Sequence, residues 1–308
     1  MAVPNSNWDQ ISAITEKYFM PKLQDNIFKT IPLFSRMEKK IDTLSGGTKV
    51  MIPLNYAQGA AGGWYSGMDT LNNQDTDTIT SAEFEWKQSW EPIVVSRRDE
   101  LINGGQQAKV NFVKSKMKIA EKTIRDNYAV GLWNAGTTTN AILGIRTFLS
   151  SSTTYGNISQ TTYSFWASNI DSSTTTTTIG AVNSQWSATG LNGDTPSVIL
   201  SGSARYNNYY NLLQPQQRFM DSETAKGGFT SLMFNGVPWI MDSKAPSTHV
   251  VGLNEEYLHL LFHKDENFRL EPFATPINQN GKVAKIFTMS VFASSNNRMH
   301  FALTALTA

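Results

Sequence analysis

From Lys49 to Asn55 apolar and polar residues alternate: Val50, Ile52 and Leu54 share one face, with Met51 and Asn55 on the other. Period two over this length predicts a half-buried β-strand. A second alternating run follows Ile79, with Phe84, Trp86 and Trp90 on one side and Glu83, Glu85 and Lys87 on the other. Between the runs the pattern stops. Gly59, Gly62, Gly63 and Gly67 surround the pair Trp64–Tyr65, and the polar stretch LNNQDTDT closes the gap. The pattern predicts a hairpin from Thr48 to Val95 with a glycine-rich tip.

Helical spacing appears twice in the first half. Ser6 or Asn7 caps a short helix carrying Ile11, Ile14 and Tyr18, which Pro21 ends. NIFKTIPLF then reads as an apolar connector, because Pro32 blocks a second long helix. The clearest element follows. Val110, Val113, Met117, Ala120, Ile124, Tyr128 and Leu132 recur at steps of three and four, bounded by Asn103-Gly104-Gly105 and by Gly136. About 28 residues at ~1.5 Å rise make a rod of roughly 42 Å. Lys114, Lys118, Lys122 and Arg125 form a basic edge beside the stripe, read as a solvated face.

The region from Thr137 to Gly190 is rich in Ser and Thr and reads as loops with short strands, anchored by Tyr155, Phe165 and Trp166. Val198-Ile199-Leu200 is a short buried strand. Ser201 or Ser203 then caps a helix with Tyr206, Tyr209, Tyr210 and Leu213, closed by Pro215. Asn235-Gly236 between alternating apolar runs predicts a two-residue hairpin, pairing Phe234 with Val237 and Leu232 with Trp239. Pro238 lacks an N–H, so its strand is expected at an edge or with that side facing out. HVVGLN, YLHLLF, VAKIFTMSVFASS and RMHFALTAL read as strands. The order gives an α+β protein without internal repeats.

Composition narrows the function. The chain has 308 residues, 40% hydrophobic and 17% charged, with a formal charge of +1. Net charge does not draw it to nucleic acid or membrane. Cysteine is absent, which removes disulfides, thiol catalysis and thiolate metal sites. MAVPNSNWDQ is no secretory signal, and no apolar run nears the ~18 residues of a membrane span. The expectation is a soluble protein made in a cytoplasm. The sequon Asn157-Ile158-Ser159 adds little.

Catalytic signatures are missing. His259 and His263 are four apart, but HLLFH sits in a strand pattern and is no His-Glu-x-x-His. LSGSAR is no nucleophile elbow. The glycines from 59 to 67 match no phosphate loop and lead into no helix that would supply amides. Glu83, Glu85 and Glu91 read as a solvent-facing edge. No catalytic residue, cofactor or metal is assigned. An arm of this length cannot bury itself in one compact domain, so its tip is expected to pack on something outside the chain. Trp64, Tyr65 and Met68 are the candidate intersubunit contacts.

At this point the sequence resembles the major capsid proteins of tailed bacteriophages, which have the Hong Kong 97 fold. AITEKYFMPKLQDNIFKTIPLF resembles the family's N-terminal segment. GGTKVMIPLNYAQG and FEWKQSWEPIVVS are similar to the strands of its extended loop, and KIAEKTIRDNYAVGLWN to its spine helix. PSVILSGSARYNNYYNLL and FTSLMFNGVPWIMDSKAP resemble its axial core. VVGLNEEYLHLLFHKDENFRLEPF and NNRMHFALTAL resemble its closing peripheral strands.

The resemblance implies an N-terminal arm at 1–46, an extended loop at 47–98 and a spine helix of the peripheral domain at 99–136. An axial domain at 137–245 and closing strands of both domains at 246–308 complete it. It implies hexamers and pentamers forming the icosahedral head around double-stranded DNA, with a portal and, given the short arm, a separate scaffolding protein. The expected location is the virion, after synthesis in the host cytoplasm, with no membrane partner. Some relatives crosslink Lys to Asn between subunits; no such pair matches here. A reading of another class stays open: a phage accessory protein that binds or hydrolyses carbohydrate, suggested by the Ser/Thr-rich middle and the surface aromatics.

Overall fold

The computed structural model describes residues 31–59, 62–71, 77–102, 106–190, 193–213 and 232–307. The expected helix ending at Pro21, the Asn103–Gly105 boundary and the stop at Pro215 lie outside them. In chain order the elements are α1 (Pro32–Glu38), β1 (Ile41–Leu44), β2 (Lys49–Asn55), β3 (Ile79–Glu85) and β4 (Lys87–Ser96). Next come α2 (Arg97–Ile102), α3 (Gln106–Leu132), α4 (Ile145–Phe148), β5 (Thr154–Tyr155), β6 (Ile158–Ser159) and β7 (Asn169–Asp171). Then follow α5 (Ile179–Thr189), β8 (Val198–Ser201), α6 (Ser203–Leu213), β9 (Leu232–Phe234), β10 (Val237–Met241) and β11 (Val250–Leu253). The series closes with β12 (Leu258–His263), β13 (Arg269–Ala274), β14 (Gly281–Ser294) and β15 (Phe301–Leu303).

Two sheets organise the chain. One runs β1-β12-β14-β13, with β4 also paired along β14. The other runs β7-β15-β11-β8-β10-β9. The long helix α3 lies on β4 and β14, and α1 packs against α3 and β12. Its stripe is buried as the spacing predicts: Ala120, Ile124, Tyr128 and Leu132 are inside, while Val113 and Met117 are half-buried. Tyr128 ends in a polar pocket of the sheet, its hydroxyl 2.8 Å from both Thr288 and Ser290. Arg36 of α1 is fixed by a bidentate ion pair to Glu255, just before β12; its Nη2 donates to Oε2 at 2.8 Å. On the basic edge Lys114 and Lys118 are exposed, and Arg125 bridges Glu38 and Glu121 at 3.1 Å each.

The second sheet has its own core, in which Val182 and Trp186 of α5 and Tyr209 of α6 meet Trp239, Phe234 and Phe301. All four residues of β8 are buried, as a strand covered on both faces must be. The Asn-Gly hairpin has the expected register, Phe234 opposite Val237 and Leu232 opposite Trp239. Asn235 and Gly236 take φ of 47° and 81°, the positive pair a type I′ turn requires. Trp239 stacks on Tyr209 at 4.1 Å and donates to Ser201 Oγ at 2.8 Å.

His300 sits fully buried between the sheets. Its Nδ1 accepts from the Asn254 backbone N–H at 3.1 Å, so Nε2 carries the proton and faces Ser294 Oγ at 3.2 Å. Burial pushes its pKa down to about 3.

Several expectations need correction. The hairpin does not continue to Val95. Its second strand breaks at Trp86, whose indole donates to Gly47 O at 3.0 Å, and β4 leaves to pair with β14. The inward positions change from Ala82 and Phe84 to Ile93 and Val95, an inversion of phase that leaves Trp90 exposed. The end of NIFKTIPLF is not a connector: Pro32 starts the short helix α1, at a position where its missing N–H costs nothing. The Ser/Thr-rich region contains α5, capped by Thr178, whose Oγ1 accepts from Ala181 N–H at 3.1 Å. α6 begins at Ser203, so Gly202 holds the position before the first helical residue and Ser201 ends β8. β13 has no counterpart in the alternating pattern, although RLEPF lies in the stretch that resembles the closing peripheral strands. β10 is an interior strand; Pro238 is tolerated because its pairing with β8 starts only at Trp239.

Candidate functional site

The ribbon β2–β3 pairs from Lys49–Glu85 to Asn55–Ile79 without a shift. One face lies on the body. Val50, Leu54, Ala82 and Phe84 are buried, and Phe84 meets Tyr155 of the β5–β6 hairpin with ring centroids 5.0 Å apart. Gly156, at φ 59°, lets that turn approach closely: a Cβ there would stand 2.8 Å from Ala82 Cβ. Its carbonyl accepts the Glu83 N–H at 3.1 Å. The ribbon is thus packed on one face, and beyond Tyr56 the described residues 62–71 are exposed.

At the distal end Tyr56 N–H donates to Thr78 O at 3.0 Å, and its hydroxyl donates to Asp77 O at 2.8 Å. Residues 62–71 are all exposed. Trp64 and Met68 reach 106% and 103% of full exposure, and Tyr65 and Leu71 stay largely uncovered. A turn gives this tip local order. Ser66 N–H donates to Asp69 Oδ2 at 2.9 Å, Asp69 N–H returns to Ser66 O at 3.3 Å, and Gly67 takes φ 57°. Trp64, Tyr65 and Met68, the sequence candidates, therefore fall on one protruding tip.

Where the loop leaves the body, a groove of about 290 Å³ opens between Tyr56, Ile79 and Thr80 on one side and Ile158, Tyr163 and Phe165 on the other. Phe165 lies 5.7 Å from Tyr56 and 6.1 Å from Tyr163, ring to ring. Asp77 and Asn157 supply its polar rim. Sequence reasoning missed this groove, since its two walls come from segments about 80 to 110 positions apart (an interval no local pattern spans).

Nearby, Lys49 Nζ stands 2.7 Å from Glu83 Oε2, which also accepts from Asn157 Nδ2 at 3.1 Å. The hydrogen bond to Glu83 raises the Lys49 pKa, and the same bond lowers that of Glu83. The amine is held protonated, without the free pair an attack on a carboxamide needs. The trio is a polar clasp between the ribbon and the β5–β6 turn.

No metal site emerges from the expected histidines. Both sit on β12 as the strand pattern implied. His259 faces Ser295 Oγ at 3.2 Å, and His263 Nδ1 accepts from Asp265 N–H at 3.2 Å. Among the described residues no three His, Cys, Asp or Glu side chains gather to hold an ion. None of the described helices is long and apolar enough to cross a membrane.

No family model and no curated sequence matches the chain. Solved structures do. The chain is similar to one in the cyanophage A-1(L) capsid asymmetric unit, with TM-score 0.74 at 15% identity, over 97% of this chain and 99% of that one. A chain in the capsid of the native GTA particle gives 0.66 at 11%, over 99% and 100%. The holo-SrpI encapsulin complex from Synechococcus elongatus gives 0.62 at 10%, over 99% and 96%. At such identities the likeness establishes a shared fold across the whole length.

Proposed function

We propose that this chain, which has the Hong Kong 97-like capsid fold, is the major capsid protein of a tailed bacteriophage. It assembles through hexamers and pentamers into an icosahedral head that encloses double-stranded DNA. The observation that carries the reading is the tip at 62–71, built as a defined turn yet covered by nothing on its own chain. A surface of this kind belongs to a contact between subunits.

In this reading 1–46 is the N-terminal arm, 47–98 the extended loop and 99–136 the spine helix of the peripheral domain. Residues 137–245 form the axial domain, and 246–308 close both domains. The division is supported by the two sheets: β12 and β14 belong to one, β11 and β15 to the other. Trp64, Tyr65 and Met68 make the contact with the neighbouring subunit. A separate scaffolding protein and a portal complete the assembly, and the protein resides in the virion after synthesis in the host cytoplasm. The accessory-protein reading drew on the Ser/Thr-rich middle and the surface aromatics; the likeness to capsid chains over the whole length favours the shell over it. A second reading, a closed shell of other content, is favoured by the likeness to the encapsulin complex.

Negative-stain microscopy of the purified protein tests the proposal. The native chain should form closed shells, with DNA in particles taken from infected cells. Replacing 57–77 by a short Gly-Ser turn should leave a folded, soluble protein and abolish shells. A native chain that stays small overturns the shell reading. Shells at normal yield from the replaced chain overturn the role of the loop, and particles consistently free of nucleic acid favour the second reading.

A further inference from the structure

We infer that the groove beside Tyr56 and Tyr163 is the seat for the loop tip of a second copy of this chain, with Trp64 as the side chain that enters it. This rests on the shell reading and names the surface that receives the tip.

Size and chemistry match. The groove holds about 290 Å³ between aromatic and aliphatic walls, room for one indole. Its wall residues Ile79 and Tyr163 are 67% and 49% exposed, so the walls too lack a cover. Asp77, among the groove's lining residues, brings an acceptor for an indole N–H, the partner a buried tryptophan requires. The chain's own tip does not occupy the groove, because every residue from 62 to 71 is exposed.

Area and reach agree. Two aromatics bury ~150–250 Å² each, so with Met68 and Leu71 the tip offers roughly 600 Å². That approaches the ~800 Å² each partner gives to a standard interface. The connection from 57 to 77 has about ten residues each way, enough for roughly 33 Å of extension. Tip and groove are different surfaces of one chain, so each copy both donates and receives. Such a heterologous contact propagates from copy to copy and closes into a ring where the rotation between copies permits.

The rival seat is the outer face of β4, where Trp90 and Val94 are exposed. The absence of cysteine makes the two seats separable. Chains carrying Trp64→Cys are co-assembled with chains carrying Tyr163→Cys, or with chains carrying Val94→Cys, and treated with a short bis-maleimide. Tyr65→Cys serves as a second donor should Trp64→Cys assemble poorly. The groove predicts covalent dimers with Tyr163→Cys at no less than tenfold the yield seen with Val94→Cys. Dimers with Val94→Cys instead, or particles that crosslink with neither, overturn the seat and leave the shell reading intact. A native chain that forms no particles overturns both.

Discussion

Phe84 and Trp64 belong to one hairpin and meet opposite fates. Phe84 is 2% exposed, pressed on Tyr155, and Trp64 is fully exposed. The ribbon that holds Phe84 keeps period two, so its apolar side chains share a face that the body can cover. The tip that holds Trp64 has glycines where a period would be and presents its apolar groups on a turn. Burial at the root stabilises the subunit; exposure at the tip is useful only to another molecule. The comparison separates folding from assembly within a few dozen residues.

The largest effect should come from breaking the root. Phe84→Ala should cost about 3–5 kcal/mol in denaturant unfolding, as large-to-small changes of buried aromatics do. Trp64→Ala should leave the unfolding midpoint within about 0.5 kcal/mol of native while particle yield falls. Equal unfolding costs at the two positions would erase the distinction. The same contrast holds across α3. Ile124→Ala should cost about 2–4 kcal/mol, because Ile124 is fully buried on the stripe. Lys118→Ala, on the exposed edge, should stay within about 0.5 kcal/mol.

How much of this was legible follows from the same physics. Wherever one face meets the core over a long run, the pattern carried through: α3, the β2–β3 ribbon, β8 and the Asn-Gly hairpin all read correctly. The misses have local causes. Trp90 was placed inside because one unpaired residue, Trp86, inverts the phase between β3 and β4. α5 was hidden by threonines whose strand preference is overridden once Thr178 caps and Trp186 packs. β13 escaped because all six of its residues are exposed, which removes the alternation. The candidate tip was legible as aromatics among glycines. Its receiving groove was not, since the walls join only in the folded chain.

A smaller effect than either large-to-small change in the core concerns His300, buried between the sheets. His300 is neutral in the folded protein, and its pKa lies below that of an exposed histidine. Stability is therefore full above the unfolded value of ~6.5 and declines as pH falls toward about 3. His249 and His259 are depressed in the same direction, both by burial first, so they add to the slope. His300 should contribute roughly 1 kcal/mol of loss between pH 7 and 5.5. Denaturant midpoints at the two pH values, for the native chain and for His300→Gln, isolate that share. An unchanged slope in the variant would refute it.

The pairing of β4 with β14 has a consequence in time. Ser89 and Thr288 touch although 199 positions separate them. Translation adds ~5–20 residues per second, so roughly 10–40 s pass between the two partners leaving the ribosome. Through that interval β4 lacks the strand beside it, and α3 lacks part of the surface it rests on. Contacts so distant in sequence also close slowly once both ends exist. The ribbon, early in the chain, is thus ready long before the platform that orients it. In the proposed shell, the tip is oriented for a neighbour only after synthesis has passed β14.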